Sequence, residues 1–254
     1  MGTKGGGTDM RFTVDGYVEM LDALRESGYG IADYSCWDEY EKCAILRHDV
    51  DFDMYQALSM AKVECKQWVK STYFVLLTSD FYNIHSAANR RLLNEIRGMG
   101  HTIGLHFDET AYPEDAGNVE KVVQDIKKEL LTLSDVLGVP VEAFSYHRPT
   151  KAILDADIRI QGAVNSYGEL FFRRFKYLSD SRMHWREPAG DIICEGIYPH
   201  LHILTHPFWY HDRETEMREI LSGFLDRAGK DRYNSLKDNF TNLGDVLEWR
   251  DDRL

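Results

Sequence analysis

"AILRHDVDFD", residues 44–53, is the stretch on which the fold turns. An apolar run from Ala44 to Leu46 passes directly into Arg47, His48, Asp49, Asp51 and Asp53. A buried strand that runs into a cluster of acids needs a place where acids can gather. The C-terminal rim of a parallel sheet is such a place, because all strand ends meet there at one face.

Working outward, strand-like and helix-like segments alternate. "VDGYVEMLDALRESG" (14–28) has apolar residues at helical spacing and ends at a glycine. "DMYQALSMAKVECKQW" (53–68) is helical again, and "STYFVLL" (71–77) is rich in β-formers. "SAANRRLLNEIRGMG" (86–100) has a Ser cap, a helical stripe and a glycine stop. "HTIGLH" (101–106) is a strand, "NVEKVVQDIKKELLTLSDVLG" (118–138) a long helix from an Asn cap to Gly138, and "EAFSYH" (142–147) a strand. Further on, "AVNSYG", "YLSDS" and "DIICEGIYP" each fit a strand, "HLHILTH" (200–206) is a clear one, and the remainder from "RETEMREILSGFLDRAG" is helical. Strands that alternate with helices of this length predict an α/β fold with a parallel sheet and right-handed crossovers. No repeat, low-complexity tract or linker breaks residues 10–254, which read as one domain. The Gly-rich leader "MGTKGGGTD" (1–9) reads as flexible and resembles an expression scar.

The 254 residues are enough to bury a core without staples, and the net charge of −12 argues against nucleic acid or anionic membrane as a partner. Cys36, Cys43, Cys65 and Cys194 form no C-x-x-C pair and read as reduced thiols. The sequence has no apolar run of spanning length and no signal-type apolar region, so a cytoplasmic protein is expected. Oligomeric state is not encoded in any feature of the chain.

Polar residues recur where strands end: His48-Asp49-Val50-Asp51, "TSDFYN" (78–83), His106-Phe107-Asp108, His147-Arg148-Pro149, "SRMHW" (181–185) and Thr205-His206-Pro207. Asp49 and Asp51 are two apart, so in a strand they point the same way and repel. They coexist at low cost only beside a cation; a metal ion and Arg148 both fit. His106 offers a neutral imidazole, and Asp with His suits zinc or another borderline divalent metal.

In this order the motifs "HDVD", "GHTIGLH", "HRP", "SDSRMHW" and "LTHP" resemble those of the polysaccharide deacetylases, the NodB-homology or carbohydrate esterase 4 superfamily, and most of all its subset opening with "RHDVD". The resemblance covers roughly residues 43 to 210. It implies a distorted (β/α) barrel of about seven parallel strands and metal-dependent removal of an N- or O-acyl group from a sugar. It also implies Asp49 as catalytic base, Asp51 and His106 as metal ligands, and Arg148 as the arginine that orients the base. Asp180 and Trp185 would brace that arginine and wall the pocket, and His206 would be the general acid. The implied cofactor is zinc, with cobalt, manganese or iron as substitutes. Tyr146, Phe208 and Trp209 are candidates to line the substrate pocket, since aromatic faces suit a carbohydrate.

One position departs from the pattern. The second histidine ligand is expected four residues after His106, where this chain has Thr110. Asp108, about 6–7 Å along an extended chain from His106, is the preferred replacement and His147 the alternative. A third option is a degraded site in a non-catalytic carbohydrate-binding protein; a fourth is an amide or formamide hydrolase acting on a non-sugar. His48, His101, His200 and His202 read as structural, and "FFRRFKYL" (171–178) as a packed amphipathic segment or a sugar-stacking surface.

Overall fold

A computed structural model describes residues 10–249. The leader at residues 1–9 therefore lies outside the described residues. The chain divides into two compact units, Met1–Asp212 and Arg213–Leu254.

The first unit is a distorted parallel (β/α) barrel. Its elements are α1 (Val14–Glu26), β1 (Gly30–Ala32), β2 (Cys43–Val50), α2 (Met54–Lys66), β3 (Thr72–Val75), α3 (Ala87–Gly98), β4 (Thr102–Phe107) and α4 (Val119–Leu137). They are followed by β5 (Ala143–Tyr146), α5 (Lys151–Asp155), β6 (Val164–Asn165), β7 (Lys176–Ser179), α6 (Ala189–Glu195) and β8 (His200–Thr205). Seven strands run β6-β5-β4-β3-β2-β8-β7, and short β1 pairs with the first half of β2. Every ladder between these strands is parallel. No ladder joins β6 to β7 among the described residues, which leaves a seam.

Strand alternation divides the side chains between two layers. Outward-facing Val50, Tyr73, Val75, Ile103, Leu105, Phe107, Phe144 and Tyr146 pack with α2–α4 in the larger core. Inward-facing Cys43, Ile45, Phe74 and Ala143 pack inside the barrel with Tyr34, Phe171 and Phe175. Gly104 is required by that interior, since a Cβ there would sit 2.5 Å from the Phe74 ring. The "FFRRFKYL" segment is thus a packed amphipathic one, with Phe171, Phe175 and Leu178 buried, Arg173 and Arg174 exposed, and a π-helical turn over Leu170–Arg174.

The caps follow the sequence. Thr13, Asp53, Ser86 and Asn118 each accept a backbone N–H at a helix start, and Gly138 ends α4 at φ 68°. The reading of "DIICEGIYP" as a strand is corrected. Its first half completes α6, bounded by Pro188 and by Gly196 in the left-handed region, with Ile192 and Ile193 on the buried face. The short run of isoleucines is apolar in either geometry, and the flanking Pro and Gly decide it.

On the outer face of β2 a carboxylate is fully enclosed. Glu64 on α2 accepts from the hydroxyls of Tyr17 (2.7 Å), Ser71 (2.6 Å) and Tyr73 (2.6 Å) and pairs with His48 Nε2 at 3.0 Å. His48 Nδ1 is held in turn by Thr205 Oγ1 at 2.7 Å, and His101 Nε2 by the Ala61 carbonyl at 3.1 Å. Burial works against the Glu64 charge, but His48, His101 and Ser71 outweigh it and bring its pKa down to about 2. His48 and His101 are therefore structural. So is His202, inside the barrel between the Tyr34 hydroxyl (2.8 Å) and the Phe171 carbonyl (3.0 Å).

The second unit holds α7 (Met217–Lys237) and α8 (Leu243–Val246), joined by a bond from the Tyr233 hydroxyl to the Leu247 carbonyl at 2.8 Å. Among the described residues no helix is long and apolar enough to cross a membrane.

Candidate metal centre and active site

The three acids that follow the apolar run of β2 have three different duties. Asp49 faces the barrel interior and is 3% exposed. Both its oxygens accept from Arg47 Nη2, at 2.8 and 2.7 Å. Asp53 caps α2, accepting from the amides of Tyr55 (2.8 Å) and Gln56 (3.2 Å). Asp51, between them, faces two histidines.

That group is the centre of the site. His106 Nε2, at the end of β4, lies 3.3 Å from Asp51 Oδ1. His147 Nδ1, just after β5, lies 3.4 Å from the same oxygen and 3.3 Å from His106 Nε2. The three donor atoms thus form a nearly equilateral triangle. Ligands about 2.0–2.1 Å from one tetrahedral ion are separated by about 3.3–3.4 Å, so the triangle has the dimensions of one face of a zinc site. Two further observations fit a metal. Asp51 Oδ1 is buried without a hydrogen-bond partner. Two imidazole nitrogens and a carboxylate also match a borderline divalent ion. Burial opposes ionisation of Asp51, but His106 and His147, with His206 behind them, hold its carboxyl well below the usual range. His147 is shifted upward: burial pulls it down and the Asp51 carboxylate more than compensates.

Supporting contacts hold both histidines. His106 Nδ1 is engaged by Ser145 Oγ at 2.6 Å, which leaves Nε2 facing the triangle. The segment that carries His147 is tied down by Glu109, whose carboxylate accepts from the Thr150 amide (2.7 Å), the Thr150 hydroxyl (3.1 Å) and the Gly117 amide (2.5 Å).

On the other side of Asp51 stands His206, Nε2 3.8 Å from Asp51 Oδ2. Its Nδ1 pairs with Asp180 Oδ1 at 2.6 Å, and Asp180 also accepts from the His206 amide and, at 3.0 Å, from the Tyr210 hydroxyl. Burial pushes His206 down. Asp180, with Asp51 and Asp49 beyond it, overcomes this and raises its pKa to about 9. It stands as an imidazolium clamped by a fully buried carboxylate.

Several expected positions are different. Asp108 is not the third member of the group. Its Oδ1 accepts from the Thr110 amide (2.9 Å) and hydroxyl (2.7 Å), capping a short 3-10 turn over Glu109–Ala111, and His147 takes the place instead. Thr110 is the partner that occupies Asp108. Arg148 is exposed, and the guanidinium on Asp49 belongs to Arg47. Arg47 is completely buried, bonds Ser166 Oγ at 2.7 Å and lies over the rings of Tyr167 (4.7 Å) and Phe74 (5.0 Å). Strand parity could have found it, because residues 47, 49 and 51 share one face. Asp180 accordingly braces His206 and not an arginine. Tyr146 points into the helix-side core, since its neighbours Ser145 and His147 take the inner face. Phe208 and Trp209 are buried in a short turn after His206, at 4% and 6% exposure. Trp185 is half-buried and lines a cleft of about 540 Å³ with Phe12, His184 and Pro188.

No family model matches the sequence, and no curated protein matches it. Solved structures do. A CE4 esterase from Streptococcus mutans shares 16% identity over 91% of this chain and 90% of its own, with a TM-score of 0.49. The chitin deacetylase of the fungal pathogen Colletotrichum lindemuthianum shares 15% over 73% and 82%, at 0.44. A CE4 family pseudoenzyme from Bacillus anthracis shares 12% over 75% of this chain, which spans 62% of that protein, at 0.43. The chain's structural neighbours therefore include CE4 family carbohydrate esterases and a chitin deacetylase, a pseudoenzyme among them.

Proposed function

We propose that this chain is a metal-dependent deacylase of the NodB-homology type, in the subset opening with "RHDVD", hydrolysing an N- or O-acyl group on a sugar. A sugar precursor of a polysaccharide or glycolipid is the substrate class we favour. The observation that carries the reading is the Asp51–His106–His147 triangle, set between a carboxylate held by an arginine and an imidazolium held by a carboxylate. Thr110 favours a non-catalytic protein; the placement of His147 beside Asp51 and His106 supports the catalytic reading instead.

A divalent ion in the triangle, zinc by its donor set, would supply Lewis acidity to the acyl oxygen and bring the pKa of water toward ~7. Asp49 accepts the proton of the attacking water. Arg47 fixes the direction of that carboxylate, because both oxygens bond to one nitrogen of a guanidinium that is itself immobile between two rings. His206 gives its proton to the leaving amine or alcohol, which is a poor leaving group unless protonated. Asp180 keeps that proton on His206 until it is needed and sets the ring's orientation. Base and acid come from β2 and β8, which are direct neighbours in the sheet, so both face one acyl group.

The test is metal content by elemental mass spectrometry together with release of free amine or acetate from N- and O-acetylated sugars. About one divalent ion per chain, lost in Asp51→Ala and His147→Ala, with hydrolysis lost in Asp49→Asn, is expected. A parent protein that takes up no zinc, cobalt or manganese, or an Asp49→Asn variant of full activity, would refute the reading.

A further inference from the structure

Two of the three residues in the triangle have an evident brace: His106 has Ser145, and the His147 segment has Glu109. Asp51 has none of this kind, since its buried Oδ1 has no hydrogen-bond partner. Its chain neighbours, however, are held on both sides by the segment that follows β3.

The β2–β3 ladder ends at the pair Val50↔Val75, one residue before Asp51. Just past that pair the Tyr82 hydroxyl enters the gap between the strands. It donates to the Val50 carbonyl at 2.6 Å and accepts from the Leu76 amide at 2.8 Å. A side-chain hydroxyl thus replaces a backbone rung and fixes the peptide that leads into Asp51. Burial drives the Tyr82 phenol upward, so it remains the protonated donor this bridge needs. On the far side of Asp51, the Phe52 ring meets Phe81 edge-on at 5.1 Å and Phe208 at 4.9 Å. Phe208 sits two residues after His206 in the buried 3-10 turn that follows β8. Residue 50 is fixed by its carbonyl and residue 52 by its ring, and the carboxylate lies between the two anchors.

We propose that Tyr82 and Phe81 are positioning residues for the metal centre, clamping Asp51 from both flanks so that its Oδ1 stays in the triangle. The proposal rests on the metal-site reading above. It commits the ion-binding geometry to a loop, residues 76–86, that contains no ligand. A purely structural role would lower stability and leave ion binding untouched. A positioning role loosens the ligand itself, and outer contacts of a metal site commonly carry 10–100-fold in affinity.

The experiment is a cobalt(II) titration of the full chain, followed by its visible absorption, on the parent, Tyr82→Phe, Phe81→Leu and Asp51→Ala, at a temperature well below every metal-free melting point. Tyr82→Phe is expected to weaken cobalt binding about 10–100-fold and to change the intensity of the ligand-field bands, with Phe81→Leu moving the same way. If Tyr82→Phe only melts earlier and keeps the parent's affinity and spectrum, the clamp is overturned while the metal site stands. If Asp51→Ala also binds like the parent, or the parent binds no cobalt, the metal-site reading itself fails and the clamp with it. Should Tyr82→Phe not fold, Phe81→Leu decides alone, since half-exposed Phe81 can be replaced without opening a core.

Discussion

The choice of His147 over Asp108 can be put to a quantitative test through the melting temperature. An ion that binds only the folded chain stabilises it by RT ln(1 + [L]/Kd), about 2.7 kcal/mol at a hundred times Kd. For a chain of this size 1 kcal/mol moves Tm by roughly 2–4 °C, so saturating zinc should raise the parent's Tm by about 5–11 °C. The His147→Ala variant removes one corner of a triangle whose edges are 3.3–3.4 Å. A direct ligand is worth at least as much as the 10–100-fold carried by an outer contact. With Kd raised about 100-fold the same zinc contributes only RT ln 2, about 0.4 kcal/mol, or roughly 1–2 °C. Asp108→Ala removes a turn cap and no corner, so the zinc-dependent rise should equal the parent's. Differential scanning fluorimetry with and without zinc reads the rise within each variant and cancels any change in metal-free stability. A full rise in His147→Ala, or its collapse in Asp108→Ala, would refute the assignment.

Three other outcomes follow from the same geometry. Asp180→Asn removes the carboxylate that holds the His206 imidazolium; kcat for deacylation should fall about 10²–10⁴-fold and the alkaline limb of the pH–rate profile should move to lower pH, whereas an unmoved limb would separate Asp180 from His206. Glu129 on α4 has one buried oxygen bonded to the Tyr112 hydroxyl at 2.6 Å and the other unpaired, and burial, with Asp108 and Asp125 nearby, raises its pKa to about 7. A raised carboxyl keeps its proton in the fold while the unfolded chain ionises, so stability falls by roughly 3 kcal/mol as pH rises from 4.5 through 7, and Glu129→Gln should abolish that slope in urea titrations between pH 4 and 8. Glu64 has the opposite sign, its stabilisation lost as pH falls from 4.5 through about 2; Glu64→Leu strands a group of buried donors and should cost about 3–5 kcal/mol at pH 7 by chemical denaturation, and a loss under about 1 kcal/mol would contradict the network.

The barrel was legible because its signals are local and agree. Caps at Ser86 and Asn118, the stop at Gly138 and the apolar phase of each strand are properties of a few consecutive residues. The gathering of Asp51 and His106 at one rim also followed from topology. What stayed hidden depends on curvature between strands. Whether Asp108 or His147 completes the triangle turns on how closely the ends of β4 and β5 approach, and on whether Thr110 engages Asp108 first. Neither is encoded in spacing along one strand. The replacement of Arg148 by Arg47 is a different kind of miss. Parity along β2 puts Arg47 beside Asp49, whereas the expectation of Arg148 rests on the resemblance of "HRP" to a family motif and not on the phase of the strand. Tyr146 was misplaced for want of the same parity, since it sits between two inward-facing residues.

The seam between β6 and β7 has a bearing on how the molecule can move. The strands that end in Asp51, His106, His147 and His206 are all interior to the strand order, each flanked by a ladder on both sides. The reactive groups thus sit on the stiff arc of a horseshoe, and its two tips are the two-residue β6 and the four-residue β7. Edge pairing of that length opens at little cost. Yet Ser166 and Tyr167, just after β6, hold Arg47, and Asp180, just after β7, holds His206, so breathing at the seam reaches the braces of both base and acid while the ligands on the arc keep their places. The amides of β6 should accordingly exchange with solvent long before those of β2.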